Sequence, residues 1–117
     1  MATITEDYVS SELAKLLKEK GFYSEDCFAF YKKNGEICFL QTFGDIADYD
    51  SGTCVIAPTL QMVMKWLREV HDIKIMIRPY VDGTYSYEIL NGFWYVNFDS
   101  YEDAVEAAIK YCLENLI

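Results

Sequence analysis

The 117-residue sequence has few of the residues from which common catalytic and metal sites are built. It contains one histidine, His71, and its four cysteines include no CxxC pair. Zinc and redox sites usually depend on such closely spaced ligands. The glycine-rich phosphate loops and the GxSxG motif of hydrolases are also missing from the sequence. We therefore expect a protein without metal, cofactor or enzymatic activity.

Basic residues are scarce as well. The chain has 10 Lys and Arg against 19 Asp and Glu, a net charge of −9, and residues 34–58 contain no base. Nonspecific nucleic-acid binding depends on neutralising phosphates with Lys and Arg, so no nucleic-acid partner is expected. The acidic excess is typical of a soluble surface. One alternative is an acidic decoy that occupies a basic site on a host protein.

Long apolar runs are absent, which argues against a membrane helix of about 18 residues. The first residues, MATITEDYV, carry acids where a signal peptide needs bases. We expect a cytoplasmic protein with no membrane partner. In that setting the cysteines, which all have apolar neighbours, are predicted to be reduced and to pack as small hydrophobic side chains; they are Cys27, Cys38, Cys54 and Cys112.

Apolar residues, in contrast, make up 52% of the sequence, and aromatic residues 16%. A chain of this length can bury about two thirds of the surface exposed when it is unfolded. We predict a single domain over residues 1–117. Apolar side chains at helical spacing indicate helices near 10–20, 59–71 and 100–116. The first has clear end signals, Ser10 or Ser11 as N-cap and Gly21 after its last turn.

Two segments have the alternation and turn residues of strands. Residues 27–43 predict a hairpin whose turn is Asn34-Gly35, the strongest two-residue turn signal. That turn would place Tyr31 opposite Cys38 and Phe30 opposite Phe39. Residues 73–98 predict a three-stranded meander with two-residue turns at Asp82-Gly83 and Asn91-Gly92. The predicted fold is α+β, an antiparallel sheet of about five strands (hairpin plus three-stranded meander) packed with three helices.

The predicted turns also assign the side chains of the meander to its two faces. One face receives Met76, Arg78, Tyr80, Tyr85, Tyr87, Ile89, Trp94, Val96 and Phe98. The other receives Ile73, Ile75, Ile77, Pro79, Ser86, Glu88, Leu90, Phe93, Tyr95 and Asn97. Neither face is plainly polar, which is unusual for a sheet with one solvated side. Either a turn is longer than two residues and the register shifts, or both faces are covered.

The leading functional hypothesis is a non-enzymatic protein-interaction module that forms a homodimer or binds another protein. It follows from apolar surface on the meander that three short helices would leave uncovered. The alternative is a domain that binds a small ligand in an aromatic-lined pocket. Both hypotheses use one candidate surface on the first face of the meander, where Arg78 is the single base; its residues are Arg78, Tyr80, Tyr85, Tyr87 and Trp94.

Three stretches of the sequence also look familiar as a set: SSELAKLLKEKGF, APTLQMVMKWLREVHDI and YEDAVEAAIKYCLENLI. They resemble small proteins encoded in prophages and mobile elements of gut Bacteroidetes. The resemblance extends over nearly the whole chain and is weakest in residues 41–57. It implies a phage-related origin and a cytoplasmic setting. The stretches carry no catalytic motif, and the resemblance implies no functional residues.

Overall fold

The computed structural model describes residues 7–23, 29–32, 35–39, 55–90 and 93–117. They fall into two compact units, Tyr8–Thr59 and Leu60–Ile117, the second with Met1–Asp7. We call these the hairpin unit and the meander unit. The described helices are α1 (Ser11–Glu19), α2 (Leu60–Val70) and α3 (Tyr101–Asn115). The described strands are β1 (Ala29–Tyr31), β2 (Ile37–Phe39), β3 (Val55–Ile56), β4 (Ile75–Pro79), β5 (Tyr85–Ile89) and β6 (Phe93–Phe98).

The predicted α+β class is confirmed, with the hairpin, the meander and three helices close to their predicted bounds. The strands differ from the prediction in one respect. They form two three-stranded sheets, in the orders β2-β1-β3 and β4-β5-β6, where one sheet of about five strands was expected. None of the described helices has the length and apolar character needed to cross a membrane.

In the hairpin unit, α1 begins and ends as its sequence predicts. The Ser10 hydroxyl accepts a hydrogen bond from the Leu13 amide at 3.2 Å, which satisfies one free donor of the first turn. After the helix, Gly21 has φ +88°. The amides of Gly21 and Phe22 donate back to the carbonyls of Lys18 and Leu17, a Schellman ending that a left-handed glycine makes inexpensive.

The sheet of the hairpin unit has β1 at its centre. β1 pairs antiparallel with β2 on one side and with β3 on the other. Phe30 is 1% exposed and is among the largest fully buried side chains, together with Leu17 of α1. The Tyr31 hydroxyl donates to the Val9 carbonyl, which ties the segment before α1 to the central strand.

The predicted register of the first hairpin is wrong by one residue. Phe30 pairs with Cys38 and Tyr31 with Ile37. The Lys32 amide donates to the Glu36 carbonyl, so three residues, not two, separate the closing pair. Gly35, the last of the three, has φ +87°. A left-handed glycine in that position is typical of three-residue hairpin loops, which explains the shift. The outer ends of the predicted hairpin, residues 27–28 and 40–43, lie outside the described residues.

The meander repeats the same shift at its first turn. Ile75 pairs with Ile89, Ile77 with Tyr87, and Pro79 with Tyr85. The loop between β4 and β5 again has three residues, because the Tyr80 amide donates to the Thr84 carbonyl. Its last residue is Gly83, with φ +88°. The middle residue, Asp82, accepts from the Thr84 amide at 3.0 Å and from the Thr84 hydroxyl at 2.6 Å. These bonds favour a turn built around Asp82.

At the second turn Ile89 pairs with Phe93, one residue earlier than a two-residue turn would allow. The register then changes within β6. Two residues, Val96 and Asn97, lie between the partners of Tyr87 and Tyr85, opposite the single residue Ser86. Asn97 has φ +72°, a left-handed conformation that asparagine tolerates better than most residues. This is a β-bulge, and it bends β6 near its end.

Helix α3 covers one face of the meander. The Ser100 hydroxyl caps it by accepting from the Asp103 amide at 3.0 Å, and two acids in the first turn complement the helix dipole. The helix contacts β4, β5, β6 and α2. Its fully buried side chains follow a helical stripe: Ala104, Val105, Ala108, Ile109, Cys112 and Leu113. The core of the meander unit therefore lies on the face of the sheet that α3 contacts, which we call the helix face.

Candidate functional site

The opposite side of the meander carries the candidate site. Side chains alternate along a strand, and the observed pairing places Ile75, Ile77, Tyr87 and Ile89 on the helix face. Their neighbours in β4 and β5 therefore point away from α3. We call this surface the open face, and it consists of Met76, Arg78, Tyr80, Ser86 and Glu88.

Two polar contacts lie at the centre of the open face. Nη2 of Arg78 is 3.2 Å from Oε2 of Glu88, and the two side chains are 59% and 33% exposed. An ion pair with this exposure contributes little to stability, so both charges are available to a partner. The Tyr80 hydroxyl donates to Oγ of Ser86 at 3.2 Å. Ser86 is 2% exposed, so Tyr80 satisfies a buried hydroxyl while its own ring remains 46% exposed.

The same four side chains surround an open depression of about 240 Å³; they are Arg78, Tyr80, Ser86 and Glu88. It offers a cation, an anion and two hydroxyls within a small area. Such a lining can hydrogen-bond a polar group. The activation of a serine nucleophile most often uses an adjacent histidine, and none of these four lining residues is a histidine.

The structure separates the five residues of the predicted surface. Arg78 and Tyr80 lie together on the open face. Tyr85 and Tyr87 pair with Pro79 and Ile77, so both lie on the helix face. Trp94 pairs with Glu88 through the backbone, and its side chain is outside the described part. The face assignment with two-residue turns is wrong, and the alternative of a longer turn with a shifted register is confirmed. Each three-residue loop shifts the pairing by one residue, and a shift of one exchanges the two faces.

The tyrosines of the helix face form aromatic packing in place of a pocket lining. The ring of Tyr87 lies 5.3 Å from Tyr95 and 5.6 Å from Phe98, between centroids. Tyr95 also contacts Tyr111 of α3 at 6.1 Å. These distances are within the range of stabilising aromatic pairs. Burial, followed by the neighbouring Tyr95, Cys112 and Tyr111, raises the pKa of Tyr87 to about 12.

The raised pKa predicts a loss of stability at alkaline pH. In the unfolded chain Tyr87 ionises near its ordinary value of 10, whereas the folded protein keeps the proton until about 12. The stability that the neutral Tyr87 side chain gives the folded state is therefore fully present below pH 10 and is lost as the pH rises to 12. We expect Tyr87→Phe to make the fall in urea midpoint over this interval shallower. The same pair of proteins at pH 7 is the control, and parallel curves from pH 7 to pH 12 would contradict the assignment.

Three residues of the site were not found from the sequence. Met76 was placed on the same face as Arg78 and Tyr80 but was not among the predicted site residues, and Ser86 and Glu88 were assigned to the opposite face. A usable signal was present, because β5 alternates Tyr85, Tyr87, Ile89 with Ser86 and Glu88. That alternation favours one buried face more directly than the turn residues do.

Metal-ligating side chains do not gather in the part of the chain that the structure describes, where no three His, Cys, Asp or Glu residues come together. His71 follows the last residue of α2. Its ring packs edge-on against Trp66, with centroids 4.5 Å apart, and its Nε2 is buried without a hydrogen-bond partner among the described residues. The acidic stretch 44–53 lies outside the described residues.

Comparison with known proteins adds no relative. No family model, curated protein or solved structure matches the chain. The resemblance to prophage and mobile-element proteins therefore stays a prediction.

Proposed function

We propose that the protein is a non-enzymatic interaction module that associates with a second copy of itself through the meander. The surface involved comprises the open face and strand β6, which together we call the uncovered surface. Its exposed apolar side chains carry the proposal: Met76 is 42% exposed, Tyr80 46% and Val96 41%. Removing such side chains from water is favourable by about 25 cal/mol per Å² of apolar area.

The residue types on the open face also support a protein interface. Tyr, Arg and Met are enriched at protein–protein interfaces relative to other surface. Arg78 and Glu88 supply one charge of each sign, so this face carries no unbalanced charge. The corrected register makes the open face mixed rather than wholly apolar. We therefore expect a modest affinity, which is common for small interfaces.

Average molar mass as a function of concentration tests this proposal. Light scattering coupled to size-exclusion chromatography should give a mass near 13.6 kDa at the lowest concentration. The mass should rise toward twice that value between about 1 and 100 μM, the range for association worth roughly 6–8 kcal/mol. A constant monomer mass over the whole range would contradict the proposal.

A second candidate function is binding of a small polar ligand, which the depression on the open face favours. In this case Arg78 would hold an anionic group, and Tyr80 and Ser86 would hydrogen-bond it. A ligand that binds only the native state raises the apparent melting temperature. A thermal-shift screen of small carboxylates and phosphates should find a compound whose effect is lost in Arg78→Ala. A screen in which every shift persists in that variant would exclude this depression as the site.

A further inference from the structure

The two edges of the meander sheet differ in a way that selects one of them for pairing. At the β4 edge, Lys74 precedes the strand, Arg78 lies within it and Pro79 ends it. Charged residues and proline are the usual protection of an edge strand, because a charge resists burial and proline offers no N–H. At the other edge, residues 89–98 contain no Asp, Glu, Lys, Arg or His. The β6 edge therefore lacks the protection that the β4 edge has.

Strand β6 also has the length and the exposed side chains that pairing with another strand requires. It has six residues, and among the described strands β5 is its one neighbour. Tyr95 and Val96 are 47% and 41% exposed. An exposed, uncharged edge strand of this length is a template for another strand, since its outward N–H and C=O groups can form a second ladder. The bulge at Asn97 bends the strand, which confines pairing to residues 93–96.

The charge distribution indicates which strand would pair there. A basic partner would be attracted to acids, and this edge has none. A second copy brings the same uncharged apolar strand, so apolar side chains meet apolar side chains. The strand itself then brings none of the acids behind the net charge of −9 into the contact. Antiparallel pairing of identical strands is also self-complementary, as a two-fold dimer requires.

We propose that two copies of this chain join β6 to β6 in antiparallel pairing, which makes one continuous six-stranded sheet. This inference rests on the proposed self-association and names its geometry. The two-fold axis of such a pair is perpendicular to the sheet, so both α3 helices lie on one side. Both open faces lie on the other side, where they form a single surface of twice the size.

A charge placed on β6 tests this geometry. Because the two-fold axis repeats the substitution in both strands, Val96→Lys puts a lysine on each side of the apolar junction of residues 93–96, and a charge at a strand edge disfavours pairing. We expect this variant to remain a monomer up to the highest concentration at which the unmodified protein is a dimer. The matched control is Val81→Lys, the same change at a fully exposed position in the loop between β4 and β5. It should dimerise as the unmodified protein does.

The other outcomes separate the two proposals. If the unmodified protein is a monomer throughout, both the self-association and its geometry are wrong. If it dimerises and Val96→Lys dimerises equally well, the β6 junction is wrong and self-association stands. If Val96→Lys does not fold, hydrogen exchange of the unmodified protein decides the question. Amides of residues 93–96 should then exchange more slowly as concentration rises, and unchanged rates in a sample that dimerises would overturn the junction.

Discussion

Replacing Ile89 with alanine should lower the free energy of unfolding by about 2–5 kcal/mol, the cost of a cavity in a packed core. Ile89 is 2% exposed and pairs with Ile75 on the helix face. Met76, one residue further along β4, is 42% exposed. Met76→Ala should therefore cost about 1 kcal/mol or less, as surface substitutions do. Urea unfolding followed by circular dichroism measures both values.

This pair of variants discriminates between the two registers of the meander. With a two-residue turn at Asp82-Gly83, Met76 and Ile89 would lie opposite each other and share one environment. Similar losses for both variants would support that register and contradict the three-residue loop. A large loss for Ile89→Ala alone supports the observed pairing and the open face that follows from it.

Replacing Phe30 with alanine should cost about 3–5 kcal/mol, the usual penalty for a buried aromatic ring. Phe30 is 1% exposed at the centre of the hairpin-unit sheet. The matched substitution is Phe39→Ala. Phe39 is 47% exposed and makes an edge contact with Tyr8 at 5.6 Å. Its truncation should cost about 0.5–1.5 kcal/mol, the value of one aromatic pair. Equal costs would favour the predicted register, which placed the two rings opposite each other.

With tryptophan fluorescence as a second probe, the Phe30→Ala variant also tests whether the two units unfold together. Both Trp66 and Trp94 belong to the meander unit, so their fluorescence reports on that unit, whereas circular dichroism reports on the whole chain. If residues 1–117 fold as the predicted single domain, Phe30→Ala should shift both transitions by the same amount. A shift in circular dichroism with unchanged fluorescence would show that the two units unfold separately.

The helices of this fold could be predicted almost completely from the sequence. Their apolar stripes have the helical period, and the ends are marked by residues with a local mechanism, such as Ser10, Gly21 and Ser100. These signals act within one or two turns of a helix, so no distant contact changes them. The hairpins could also be located, because Gly35 and Gly83 mark their loops.

The register of the hairpins was predicted wrongly for one physical reason. Asn-Gly and Asp-Gly favour a two-residue turn, but the same glycine also suits the last position of a three-residue loop. Burial of one whole face of the sheet decides between the two-residue turn and the three-residue loop. A two-residue turn would place Ile75 and Ile77 with Ser86 and Glu88, and one additional loop residue places them with Tyr87 and Ile89. Alternation along the strands is therefore a stronger guide to register than the turn dipeptide.

The candidate site depended on that register, which explains why only part of it was predicted. Arg78 and Tyr80 were correctly placed on one face, because they are two residues apart at the end of β4 and directly after it. Tyr85 and Tyr87 were placed with them across the turn, where the shift of one residue acts. The edge strand β6, in contrast, could be recognised by composition alone. Its lack of charge is visible in the sequence, although its position at an edge is not.

Interstrand NOEs across the first turn of the meander measure the register most directly. We predict that backbone protons of Ile77 lie close to those of Tyr87, and those of Ile75 close to those of Ile89. The composition of the open face follows from this pairing. Cross-peaks that instead join Arg78 to Tyr87 and Met76 to Ile89 would contradict it.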